Sequence, residues 1–276
     1  MKRALLIGIE YKGDPNNMLN GCIDDIINMR NMLIDAYEYD MNSIVMLRDD
    51  LNDSSKLPTA INIMKQLENI VAQSSSPDDE IWIHYSGHGS QIVDKRHLKS
   101  SGLTEVIVPL DFKSAGFITD FQLLTVIQKI KCTAILMFDC CHSGTMCDLP
   151  WAFEYTSPST YIRTKVDNIV IENPHIYMFS GCKDEQTSAD TYSALLKESV
   201  GAFTFILLEC LRKCNHHMEI FHLYREVCIT LGQYGFSQRP VFSSSSKDAQ
   251  YVFSKPMNVN RKLENLSVFR QENIDN

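Results

Sequence analysis

Short apolar runs and longer helical patterns take turns along the chain. "RALLIGIEY" (residues 3–11) reads as a buried strand. "GCIDDIINMRNMLIDAY" then sets Ile23, Ile26, Ile27, Leu33, Ile34 and Tyr37 at helical spacing. "SIVML" is a second strand, and a helix follows over about 58–72, with Pro58 suited to its first turn. "EIWIHYSG" and "EVIVPLD" read as strands, and "DFQLLTVIQKI" as a helix with Asp120 at its N-cap. "TAILMFD" is a strongly apolar central strand. Beyond a polar loop (149–174) come the strand "HIYMFSG", helices over 200–213 and 219–234, and a short "RPVF" strand. Strands separated by helices predict a mostly parallel sheet with helices on both faces.

Composition narrows the class. With 44% hydrophobic residues in 276, the chain can bury a substantial core. A net charge of -8 and no basic stripe beyond "DKRHLK" argue against nucleic-acid binding. The basic start is followed by only "ALLIGI", too short for a signal-peptide core, and no run approaches a membrane span. Nine cysteines at irregular spacing fit reduced thiols in a cytoplasmic setting.

Two strands end in unusual polar sequences, "IWIHYSGHGS" and "AILMFDCCHSG". In an open parallel sheet, functional groups gather at the carboxyl ends of strands. A cysteine and a histidine delivered there can form a thiolate–imidazolium pair. Side chains two apart share a strand face, so Asp139 and Cys141 point one way, and Phe138, Cys140 and His142 the other. Ser86 and His88 share a face for the same reason. One site can then gather Ser86, His88, Asp139 and Cys141, with Cys140 as a packed thiol. A zinc site from Cys140, Cys141, His142 and Cys147 fails, because adjacent cysteines point oppositely and no second paired knuckle exists. A redox pair lacks the C-x-x-C spacing.

"HYSGHG" and "DCCHSGT", with the histidine roughly 50 residues upstream of the cysteine, resemble the caspase-like cysteine peptidases and, within them, the metacaspases. "NGCIDDI", "VPLDF" with "GFITD", "SGCKDEQTSAD" and "GAFT" follow in the family's order, so the resemblance covers about residues 2–250. It implies a caspase-like three-layer α-β-α sandwich with a mostly parallel central β-sheet. A single peptidase domain would span 1–253: a large-subunit-like part to about 150, a linker loop over about 151–174 and a small-subunit-like part over about 175–253. Residues 254–276 would form a polar tail.

The resemblance also implies His88 as general base and acid, Cys141 as nucleophile, and the backbone amides of Gly89 and Cys141 as oxyanion hole. It implies an acidic specificity pocket from Cys22, Asp25, Ser86 and Asp139, suited to a substrate arginine or lysine. Asp25 is preferred to Asp24 because it lies one helical turn beyond Cys22. Asp120 and Asp148 match two calcium ligands of the family, while Thr104 and Phe121 stand where further aspartates are usual. This predicts weak calcium binding or calcium-independent activity, with no cofactor required. The chain reads as a compact type I-like unit without an N-terminal prodomain, and as a monomer acting on protein or peptide substrates, with no nucleic acid or membrane partner. Arg163 and Lys165, in the polar loop, are candidates for self-cleavage. The rival reading is a pseudopeptidase that keeps the fold and acts by binding.

Overall fold

The computed structural model describes residues 1–94, 102–140, 146–157, 160–166, 169–181, 190–192, 199–236 and 238–256. The chain opens with β1 (Lys2–Gly8), α1 (Cys22–Tyr37), β2 (Ile44–Arg48), α2 (Ala60–Gln73) and β3 (Glu80–Ser86). A small antiparallel sheet follows, β4 (Gly89–Val93), β5 (Leu103–Ile107) and β6 (Ile118–Thr119), with the short α3 (Phe112–Ala115) before its last strand. Then come α4 (Asp120–Ile127), β7 (Thr133–Asp139), β8 (Trp151–Ser157), β9 (Thr160–Lys165) and β10 (Ile176–Ser180). The ribbon β11 (Asp190–Tyr192) with β12 (Ser199–Gly201) leads into α5 (Ala202–Lys213). β13 (Met218–Glu219), α6 (Ile220–Gln233), β14 (Val241–Ser244) and β15 (Val252–Phe253) complete the described chain.

Eight strands form the central sheet in the order β2-β1-β3-β7-β10-β14-β8-β9. The first five run parallel; β14, β8 and β9 pair antiparallel. The parallel strands are apolar on both faces because helices cover both. On one face Leu6, Trp82 and Met137 pack under Leu33 of α1, Phe203 of α5 and Leu223 of α6. On the other, Leu5, Ile83 and Leu136 pack under Ile63 of α2 and Leu123 of α4. The expected three-layer sandwich is the observed one.

Three expectations change. The stretch expected as a linker loop carries the hairpin β8–β9, whose β9 lies at the sheet edge and is exposed along its length. Arg163 and Lys165 therefore sit in a paired strand, opposite Phe153 and Trp151. β-branched residues recur at alternate positions (Thr160, Ile162, Thr164) with Tyr161 between them, which favours a strand that polar content alone had obscured. Asp120 is not the N-cap of α4. Thr119 is: its extended backbone and hydroxyl form a capping box with Gln122, leaving Asp120 as the first helical residue. Strand β1 also ends at Gly8, earlier than the apolar run suggests. Residues 257–276 of the expected tail lie outside the described residues.

Candidate active site

Strands β3 and β7 pair in parallel, and their last residues, Ser86 and Asp139, are register partners. Strand alternation sends both toward the α1/α5 face, while Phe138 and Cys140 enter the opposite core. Helix α1 begins at Cys22 and brings Asp25 in its first turn, where an acid suits the helix N-terminus. The Ser86 hydroxyl donates to Asp25 Oδ2 at 2.8 Å. Asp139 Oδ2 accepts from the Thr204 backbone N–H at 3.0 Å and its hydroxyl at 2.8 Å. Gly201 shows how close the two acids come: a Cβ there would collide with Oδ2 of both Asp25 and Asp139. Asp25, Ser86 and Asp139 are thus brought together and buried, with Cys22 one turn earlier on α1.

Two acids in one buried place repel. Burial, and then the Asp139 carboxylate, hold the Asp25 carboxyl well above the usual carboxylate range. Hydrogen bonds from Ser86 and from the Gly201 backbone oppose this without overcoming it. Such a buried pair favours a cation, and a planar guanidinium or an ammonium can neutralise it.

His88 lies two residues beyond the end of β3, after Gly87, and is half-buried. Its Nε2 lies 2.8 Å from the Asn17 carbonyl oxygen. A carbonyl only accepts, so in this contact Nε2 carries hydrogen and Nδ1 is the nitrogen that can exchange a proton. Gly89 opens β4 opposite Ile107. Cys141 lies outside the described residues, as do His142 and Cys182.

A second acidic group lies nearby in the chain order. Glu105 of β5, Asp120 of α4 and Asp148 present carboxylate oxygens within 4.8 Å of one another. Asp120 reaches this group because Thr119, not Asp120, caps the helix; its Oδ2 accepts the Glu105 backbone N–H at 3.3 Å. Asp148 comes from a turn with left-handed backbone at Cys147 and Asp148 (φ 68 and 42°). Phe121 is exposed, and Thr104 is not among the three.

The sheet order and the helices on both its faces define a caspase-like fold. Solved structures agree: caspase-1 from Spodoptera frugiperda superposes with a TM-score of 0.60 at 12% identity, covering 92% of each chain. A protein from Geobacter sulfurreducens gives 0.61 at 18% identity, over 92% of this chain and 94% of that one. Within that fold, the family model "Metacaspase, peptidase C14 domain" matches residues 2–150. Metacaspase-1 of Scheffersomyces stipitis is 30% identical over 290 residues, covering 88% of this chain and 70% of that protein. Metacaspase-1 of Cryptococcus neoformans is 30% identical over 292 residues, covering 88% and 62%. The chain belongs to the metacaspase family of cysteine peptidases.

Sequence reasoning missed Glu105, Gly201, Thr204 and the Asn17 carbonyl. Glu105 adjoins Thr104, which drew attention instead; the β5–β6 register, Val106 opposite Thr119, is what sets Glu105 beside Asp120. Gly201 and Thr204 lie in the "GAFT" block, whose role only the fold reveals. Among the described residues no helix is long and apolar enough to cross a membrane.

Proposed function

We propose that this cysteine peptidase cleaves peptide bonds after arginine or lysine, with Cys141 as nucleophile and His88 as proton donor and acceptor. The observation that carries the specificity is the convergence of Asp25 and Asp139, with Ser86 bonded to Asp25, in one buried cluster. The Cys141 thiolate adds to the scissile carbonyl, and the oxyanion takes hydrogen bonds from the Gly89 and Cys141 amides. The carbon–nitrogen bond breaks as the imidazolium gives its proton to the leaving amine. Water, deprotonated by the same imidazole, then hydrolyses the acyl-thioenzyme.

Calcium has a candidate place in this reading. Ligands on opposite sides of calcium stand about 4.8 Å apart, given calcium–oxygen distances near 2.4 Å, and the all-oxygen set Glu105, Asp120 and Asp148 fits that span. Bound there, the ion would supply positive charge that gathers β5, α4 and the turn at Asp148. Glu105 adds a third charged ligand to the pair expected from sequence, which favours a calcium response over none.

Short fluorogenic peptides ending in Arg, Lys or Asp, assayed with chelator and with calcium, test the whole reading. Arg and Lys peptides should be cleaved and Asp peptides spared; Cys141→Ala should be dead and Cys140→Ala largely active. Equal activity of Cys141→Ala and wild type would sink the assignment.

A further inference from the structure

We propose that Tyr11 is a positioning residue for His88, acting through its hydroxyl and through a left-handed backbone clipped by Asp49. The proposal rests on the peptidase reading above. Tyr11 sits in the loop after β1 with φ 54°, a conformation that bulky residues adopt rarely and under constraint. The constraint is visible. Asp49 accepts the Glu10 backbone N–H on Oδ1 at 3.0 Å and the Lys12 backbone N–H on Oδ2 at 3.1 Å. One carboxylate therefore grips the amides on both sides of Tyr11. The Asp14 N–H closes the turn onto the Tyr11 carbonyl at 3.0 Å.

This turn drives the Tyr11 side chain inward until it is 2% exposed. Its hydroxyl donates to the Val108 carbonyl at 2.6 Å and accepts the His88 backbone N–H at 3.1 Å. Its ring lies against the imidazole, with centroids 4.8 Å apart and planes tilted by 38°. From the other side, the Tyr85 hydroxyl donates to the His88 carbonyl at 2.7 Å. Both backbone polar groups of His88 are thus met by phenols. The glycine before the histidine makes room for them, since a Cβ at Gly87 would lie 2.9 Å from the Tyr85 hydroxyl and 3.4 Å from that of Tyr11.

Packing alone requires neither the hydroxyl nor the left-handed turn; phenylalanine would fill the same core. A base that must stay aligned through two proton transfers requires a fixed backbone and ring plane. Tyr11 supplies both through the His88 backbone N–H and the face of its ring.

The test compares wild type, Tyr11→Phe and Asp49→Ala on an arginyl fluorogenic peptide, with active sites titrated by an irreversible thiol-reactive peptide. Each variant should lose kcat per titrated site by about tenfold or more, with KM within about twofold, because the substrate pocket is a separate group of residues. The pH–rate profile should change shape, which simple loss of folded enzyme does not produce. Unchanged kcat per titrated site in Tyr11→Phe, with only the titratable fraction reduced, would overturn the proposal in favour of a packing role. If Tyr11→Phe does not fold, Asp49→Ala decides on the same criteria. A wild type with no Cys141-dependent hydrolysis overturns the peptidase reading and this role with it, and shows itself before any variant is compared.

Discussion

The two ends of the central sheet handle acids in opposite ways. At the amino end, Asp79 meets the Met1 ammonium and lies 3.9 Å from Arg3, while Glu80 accepts from the hydroxyls of Tyr39 and Tyr251 at 2.8 and 3.0 Å. At the carboxyl end, Asp25 meets another acid, Asp139, with the Ser86 hydroxyl and the Gly201 backbone as donors. The hydrogen bond from the Met1 ammonium holds Asp79 below the usual carboxylate range; burial and Asp139 hold Asp25 above it. The chain's own cations and phenols settle the first end. The second keeps a charge conflict that, under the proposed specificity, a basic side chain of a substrate relieves, so stability and the proposed function pull apart at the two ends of the same strands.

Removing one acid from each end should separate those roles. On the proposed Arg/Lys specificity, Asp25→Asn removes one partner of a buried substrate ion pair, which costs roughly 2–4 kcal/mol of transition-state binding, or about 30- to 1,000-fold in kcat/KM on arginyl peptides. The same change should raise the melting temperature at pH 7. With its folded pKa raised, Asp25 keeps a proton that the unfolded chain has lost, so stability falls as pH rises from the ordinary carboxylate value through the folded one. Asparagine removes that loss. Asp79→Asn should do the reverse, lowering the melting temperature and leaving kcat/KM unchanged. Its depressed pKa marks stability present at neutral pH and lost as pH falls through the folded value. A destabilised Asp25→Asn, or an Asp79→Asn that loses activity, would break the contrast.

The acid limb sharpens it. His84, behind the pocket, is buried with its Nε2 3.3 Å from the Thr204 hydroxyl, and burial lowers its pKa to about 3. His216 is half-buried with φ 58°, and burial, then Lys255 and Arg212, lower its pKa to about 4. Both stay neutral in the fold while the unfolded chain gains protons below about pH 6.5, so stability is lost as pH falls through that window. Asp25 works against this loss, because its folded form already holds a proton. The stability advantage of Asp25→Asn should therefore be smaller at pH 4 than at pH 7 in thermal melts. A constant offset across that range would show that Asp25 is ionised in the fold.

How much of this was legible in the sequence depends on how far apart the partners lie. Strand alternation alone separates Asp139 from Phe138 and Cys140, and the structure puts these two in the core under α2 and α4. The pairing of Ser86 with Asp139 follows once β3 and β7 are neighbours. The pocket wall is another matter. Gly201 and Thr204 reach Asp139 across more than sixty positions, and neither residue type announces an acid-facing role. Glu105 likewise becomes a ligand candidate only through strand pairing. The left-handed turn at Tyr11 depends on Asp49, which arrives on the far side of β2. Local pattern sets faces and elements; contacts between distant loops need the fold.

The hairpin β8–β9 gives the smallest effect and belongs to neither end of that contrast. Arg163 donates to the Lys247 carbonyl at 3.3 Å, lies 3.6 Å from Asp248 and sits 5.5 Å over the Trp151 ring. Both charged side chains are substantially exposed, so the ion pair contributes about 0–1 kcal/mol, and the ring contact about 0.5–1 kcal/mol. Arg163→Gln should lower stability by about 0.5–2 kcal/mol and leave peptide cleavage unchanged. Its sharper use concerns self-cleavage. A peptidase takes its substrate as an extended chain, but the backbone at Arg163 is paired with Phe153 of β8. β9 must peel from the sheet edge before that bond can enter the site. Self-cleavage after Arg163 or Lys165 should then be much slower than cleavage of a free peptide carrying the "YIRTKVD" sequence. Mass spectrometry of timed incubations measures both rates, and equal rates would show that the hairpin offers no protection.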